Sequence, residues 1–209
     1  MKRNTLLVII GVGILVVGGY FVFKGSSPSA QVPQERNVDT STWQSTRDEE
    51  GIFSIKYSSE FEFVPRELDA HGEGAFCLKV SNWKEAVKDK TGKTGVKNCA
   101  FYTVLANDKE LDKFSADFFK DKIQEVDTGR EFVVEAKDLT LLGGNAWLRA
   151  HYKEPKSGKS LYSYATVNPE NKVVFFDASA MDEGKIQDVE DILSTVDFFF
   201  NTPESKPQS

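Results

Sequence analysis

The sequence predicts an α+β domain: an antiparallel β-sheet flanked by helices, preceded by one N-terminal transmembrane helix. Three observations carry this. An uncharged run, LLVIIGVGILVVGGYFVF, fills Leu6–Phe23. Short stretches of alternating apolar and polar residues recur between turn residues from Gly51 to Ser179. Two longer segments carry apolar residues at helical spacing.

The apolar run comes first. Its 18 residues, at about 1.5 Å each, reach about 27 Å as a helix, close to a hydrocarbon core of roughly 30 Å. Lys2, Arg3 and the amino terminus precede it and Lys24 follows it. Positive charge stays on the cytoplasmic side. The expectation is a single-pass cell-membrane protein, N-terminus in the cytoplasm, C-terminal domain extracytoplasmic, touching lipid through the anchor. A cleaved signal peptide stays open as the alternative, since a basic head and an early position suit one. Its cut would follow Ala30, although the run exceeds the usual apolar region and no clean Ala-x-Ala site is present. The chain then divides into an anchor with a short cytoplasmic head at 1–24, a flexible linker at 25–42, a domain at 43–200 and a disordered tail at 201–209. The linker and tail are rich in Ser, Pro and Gln, which bury too little to offset chain entropy.

Composition narrows the partners. The 209 residues carry a net charge of −6, and Lys2, Arg3 and Lys24 all flank the apolar run, so the rest is more acidic still. Such a surface disfavours nucleic acid. The lysines of KEAVKDKTGKTGVK, from Lys84, are interrupted by acids and read as a solvated loop. Trp43, Trp83, Trp147 and most of the 16 phenylalanines fall within 43–200, enough for a core.

Cys77 and Cys99 are the only two cysteines. Each sits in or beside a strand-like stretch, AFCLKV and CAFYTVL, and outside the membrane under this topology. A structural disulfide is expected. Two buried free thiols are the alternative. Without a C-x-x-C motif, thioredoxin-like redox work is not indicated.

Along the domain, GIFSIKY places Phe53, Ile55 and Tyr57 on one face of a first strand. SSEFEFV bends into a short strand stopped by Pro65. RELDAHGEG reads as a polar loop. AFCLKV is a strand with Phe76, Leu78 and Val80 on one face, SNWKEAVKDK holds a short helix, and NCAFYTVLA resumes a strand. NDKELDKFSADFFKDKIQ, from Asn107 to Gln124, gives the strongest helix signal. Leu111, Phe114, Phe118 and Ile123 form its stripe, and Asn107 with Glu110 fits a capping box. REFVVEA, DLTLLG, GNAWLRAHY, SLYSYATV and KVVFFDAS follow as strands. Their connections are too short for crossover helices, so they form an antiparallel meander. DEGKIQDVEDILSTVDF closes the domain as a helix with Ile186, Val189, Ile192, Leu193 and Val196 inward.

GIFSIKYSSEFEF resembles the opening signature of PsbP-like domains, with Gly51, Phe53, Ser54 and Tyr57 matching and Phe61 in the place of a later aromatic. DILSTVDFF resembles the closing helix of the same group, at Ile192, Leu193, Ser194, Thr195 and Phe198. The resemblance spans most of Gly51–Phe199. It departs at Ser58, where the family has proline, and at Phe61, where it has tryptophan. It implies a PsbP/Mog1-like sheet sandwiched by helices, and a membrane-attached bacterial protein of no fixed role.

No catalytic constellation, cofactor-binding motif or metal-ligand spacing stands out. His71 lies in the loop DAHGE. His151 lies in WLRAHY, where period two puts Trp147, Arg149 and His151 on one face and Leu148, Ala150 and Tyr152 on the other. Glu135 and Asp177, at strand ends, complete the residues to inspect. KSGKS lacks the frame of a phosphate loop. The leading expectation is a membrane-tethered binding or protein-interaction module, an accessory to an envelope complex with a membrane or envelope protein as partner. The alternatives are a cell-envelope hydrolase with a site near His151 and a structural spacer.

Overall fold

The computed structural model describes residues 38–68, 72–79, 87–88, 94–95, 98–105, 118–124 and 129–199. Among the described residues thirteen strands run in chain order: β1 (Gln44–Arg47), β2 (Phe53–Tyr57), β3 (Phe61–Val64), β4 (Gly74–Leu78), β5 (Val87–Lys88), β6 (Thr94–Gly95), β7 (Cys99–Leu105), β8 (Lys122–Gln124), β9 (Glu131–Leu142), β10 (Asn145–Lys153), β11 (Ser160–Val167), β12 (Val173–Asp177) and β13 (Asp197–Phe198). Helix α1 spans Ile186–Leu193, and short 3-10 turns cover Arg66–Leu68 and Glu183–Lys185.

Eight strands form one antiparallel sheet in the order β3-β4-β7-β12-β11-β10-β9-β8. β1, β2 and β13 form a second sheet, and β5 pairs with β6. The meander expected from β9 to β12 is present, because each connection is short, from two residues between β9 and β10 to six between β10 and β11. Gly143 and Gly144 join β9 to β10, both with positive φ (59° and 78°), as a two-residue hairpin turn requires. A Cβ on Gly143 would overlap the Ser194 carbonyl oxygen, so glycine also lets the hairpin close against the end of α1.

Period two splits the large sheet into two faces. One face sends Phe61, Phe76, Tyr102, Trp147, Tyr164, Val174 and Phe176 toward Phe53, Ile55 and Tyr57 of β2 and Val189, Ile192 and Leu193 of α1. The rings interlock: Phe53 meets Tyr102 edge-on at 5.2 Å, and Trp147 meets Phe176 edge-on at 5.7 Å. Gly74 is needed here, because a Cβ would run into the Tyr102 ring. The other face gathers Phe132, Leu148, Ala150, Tyr152, Leu161, Ala165 and Val173 with Phe118 and Phe119.

The expected α+β sandwich, a sheet flanked by helices, is corrected. The described residues make a predominantly β structure with one short α-helix. The aromatic face is covered mainly by a second sheet, and α1 covers only part of it. The helix expected over Asn107–Gln124 fails at its C-terminal end. Lys122–Gln124 are strand β8, with Ile123 paired to Phe132, and Phe118, Phe119 and Asp121 are bends. The physical reason is that adjacent Phe118 and Phe119 both pack on Phe175, at 6.4 and 6.0 Å. Helix geometry would turn them about 100° apart. Residues 106–117 lie outside the described residues. The closing helix is shorter than expected. Thr195 Oγ1 donates to the Ile192 carbonyl and accepts from the Lys56 amide, and Asp197–Phe198 then pair with β2. REFVVEA and DLTLLG are one strand of 12 residues, bent at a bulge. β1 lies where no strand was expected.

The membrane anchor is also corrected. Among the described residues no helix is long and apolar enough to cross a membrane, and Leu6–Phe23 lie outside them. The transmembrane helix, the single-pass topology, the extracytoplasmic placement and the lipid and envelope partners that rested on it are withdrawn.

The disulfide is present. Cys77 and Cys99 face each other across β4 and β7, with Cα atoms 4.0 Å apart and both residues buried. Removing the bond by Cys77→Ala with Cys99→Ala should cost about 3 kcal/mol, because the unfolded chain regains the freedom of the closed loop. Denaturant unfolding of wild type and double variant, each with and without reductant, measures this. Equal stability of the two proteins without reductant would contradict it.

Candidate functional site

On β9 and β10 the aromatic face ends in a polar patch made by Glu135, Arg149 and His151. Period two sets Arg149 and His151 on the same side of β10 as Trp147. They pair across the sheet with Asp138 and Ala136 of β9, and with Tyr164 and Tyr162 of β11. At His151 the register to β9 slips: His151 faces Ala136 and Tyr152 faces Val134. Glu135 is the extra residue, and such a bulge re-aims a side chain. Its carboxylate reaches back over β10, with Oε2 3.2 Å from His151 Nδ1 and Oε1 3.3 Å from Lys153 Nζ. The His151 ring lies flat on Tyr162, 4.5 Å between centroids at 6°.

Next to it Arg149 forms a fork. Its Nε and Nη2 donate to Asp138 at 3.1 and 2.7 Å, and its Nη1 donates to Glu190 of α1 at 2.9 Å. Tyr164 donates to the same Glu190 oxygen at 3.0 Å. The hydrogen bond to Asp138, with further help from Glu190, raises the Arg149 pKa against the opposing effect of burial. Burial raises the Tyr164 pKa, with the Glu190 charge adding to it. This network holds α1 to the sheet.

The outer side of β9 is the other distinctive feature. β8 pairs only with Glu131–Val133, and the Val134 amide donates to the Asp121 carbonyl at 2.8 Å. From Glu135 to Leu142, among the described residues, no strand lies outside β9. Leu139 and Leu141 are 46% and 42% exposed beside this edge. Lys137 points to the same face, where it donates to the Phe119 carbonyl at 2.6 Å and to Asp121 at 2.9 Å. It pins the segment carrying β8.

The expected site residues separate. His151 and Glu135 come together. Asp177 stands on the opposite face, accepting from the Ser179 amide at 2.9 Å and from the Ser163 hydroxyl at 3.3 Å. His71 lies outside the described residues. His151 Nε2 is enclosed and has no hydrogen-bond partner, so no nucleophile is set against it. The hydrolase expectation is therefore corrected: a histidine and a carboxylate lie side by side, but among the described residues no nucleophile is placed for them to activate. Among the described residues no group of three His, Cys, Asp or Glu could hold a metal.

The sequence reading missed Arg149–Asp138–Glu190 and the exposed Leu139 and Leu141. The alternation in KDLTLL was visible, but which side of that strand would lack a neighbour was not.

No family model matches the chain, and no curated protein matches it. A crystal structure from Bacteroides thetaiotaomicron VPI-5482 is similar at 9% identity with a TM-score of 0.31, over 77% of this chain. The chain spans about half the length of that structure, which it covers to 50%. The PsbP-like resemblance is corrected, because no family model matches the chain. Its two short signatures report buried packing: Phe53, Ile192 and Leu193 are core residues.

Two outcomes follow from these contacts. Arg149→Met leaves the Asp138 and Glu190 carboxylates without their cation and should lower stability by about 2 kcal/mol. Arg149→Lys should recover part of this in denaturant unfolding, and an unchanged midpoint in the methionine variant would contradict the network. Burial raises the Asp177 pKa above 3.8, against the hydrogen bonds from Ser179 and Ser163. A raised folded-state pKa gives stability that is full below the unfolded value and lost as pH rises through the folded one. Asp177→Asn keeps both acceptor contacts and should raise Tm at pH 7, with the gain vanishing below the unfolded carboxylate value. A gain that does not shrink with acid would contradict this.

Proposed function

We propose that this domain recognises an extended segment of a protein partner by adding it as a strand along the outer edge of β9. The reading rests on one observation above all: β9 has 12 residues and its outer neighbour β8 has three. An unpaired strand edge presents a row of backbone donors and acceptors that another chain can complete. Main-chain hydrogen bonds supply affinity in such complexes, and pockets for alternate side chains supply choice. Leu139 and Leu141, two apart on one face, offer apolar contact to residues two apart on an incoming strand.

The rest of the fold supports an edge that is rigid and guarded. Asp138 is held in the Arg149 fork, and Thr140 is buried. The bulge at Glu135 bends the strand, a device that limits indiscriminate edge pairing.

The test is a panel of extended peptides of about eight residues with apolar side chains at alternate positions, titrated into the isotopically labelled full chain. The expected result is that binding perturbs the amides of Glu135–Leu142 most, and that Leu139→Lys with Leu141→Lys weakens binding at least fivefold. Perturbation centred on α1 or Tyr162 instead, or no effect of the double substitution, would contradict the proposal.

A further inference from the structure

We infer that the strand accepted by β9 is basic as well as amphipathic, with lysine or arginine alternating with apolar residues; this rests on the strand-addition reading above. The two faces beside the open edge differ in chemistry. One carries Leu139 and Leu141, 46% and 42% exposed. The other carries the carboxylates of Glu135 and Asp138, whose side chains are 46% and 45% exposed.

Their side-chain partners lie on the inner side. Lys153, His151 and Arg149 all belong to β10. The order from the edge inward is therefore acid first and base second. An added strand would meet the carboxylates before it met any cation on this face. Both Asp138 oxygens and Glu135 Oε1 accept one hydrogen bond each from β10, Glu135 Oε2 lies 3.2 Å from His151 Nδ1, and a carboxylate has about four acceptor positions. Lone pairs remain for a donor arriving from outside. An acidic residue at the same place would meet like charge directly across the strand pair, which is destabilising.

Side chains on an extended strand alternate between faces. The added strand that satisfies both faces places apolar residues against Leu139 and Leu141, and cationic residues in the intervening positions toward Asp138 and Glu135. The net charge of −6 on the whole chain favours the same ligand during encounter. It disfavours a second copy of this chain as the occupant. Antiparallel pairing of β9 with itself about Leu139 would set Asp138 against Thr140 of the other copy and supply neither carboxylate with a cation.

Three labelled peptides of about nine residues test the inference against the full-length protein: leucine alternating with lysine, with threonine or with glutamate. Anisotropy titrations at about 50 and 200 mM salt read the affinities. The lysine peptide should bind at least tenfold more tightly than the glutamate peptide. The gap should narrow at the higher salt, and Glu135→Gln, which leaves the Asp138–Arg149 fork intact, should reduce it. Equal binding of all three would overturn the charge preference and leave strand addition standing. No binding by any of them would overturn both. Sedimentation that shows dimers of the chain, lost in Leu139→Lys with Leu141→Lys, would identify a second copy as the occupant and overturn the inference.

Discussion

The layer of aromatic rings between the two sheets is the constraint on which the rest depends. Phe53, Phe76, Tyr102, Trp147 and Phe176 are each 1% exposed or less. Their contacts fix which face of every strand in the large sheet is internal. Because the side-chain period of a strand is two, a slip of one residue would turn each of these rings outward. The same parity that buries Trp147 puts Arg149 and His151 on its side of β10, and so opposite Asp138 and beside the displaced Glu135. On β9 it puts Leu139 and Leu141 on the other face. The chemistry of the open edge is a by-product of packing the rings.

The ring layer also explains why, among the described residues, so little helix is needed to cover this face. The three-stranded sheet of β1, β2 and β13 covers the centre of the aromatic face with Phe53, Ile55 and Tyr57. α1 covers the flank with Val189, Ile192 and Leu193. A helix of eight residues is too short to be stable alone. Its position is set by packing, by the Arg149–Glu190 bond and by the Asn145 side chain, which donates to the Val196 carbonyl just past its end at 2.8 Å. The glycine turn at Gly143 gives the hairpin room to meet it.

Much of the sheet was legible in the sequence because strands with one buried face alternate. β2, β4, β7 and β10 to β12 lie where the alternation placed them, and the split of β10 into Trp147, Arg149 and His151 against Leu148, Ala150 and Tyr152 is observed. The errors have physical causes. Phe118 and Ile123, read from the sequence as the end of a helical stripe, lie outside any helix: the rings of Phe118 and Phe119 both pack on Phe175 and Ile123 belongs to a strand. The sequence EFVVEAKDLTLL looked like two strands because its bulge breaks the alternation. Of the candidate site, the pairing of His151 with Glu135 was not legible, since it needs the bulge. The open edge was not legible either, because nothing in a strand's own residues tells how long its neighbour will be.

The functional proposal stands on the outer edge of β9 from Glu135 to Leu142, which no strand among the described residues pairs, and amide hydrogen exchange in the free protein tests it most directly. The account predicts alternation between Glu135 and Leu142. Amides bonded to β10 should be protected to the level of β11, and the intervening outward amides should exchange nearly as fast as in an unstructured chain. Uniform protection of every amide in that stretch, at the level of β11, would contradict it, because the edge would then already be covered.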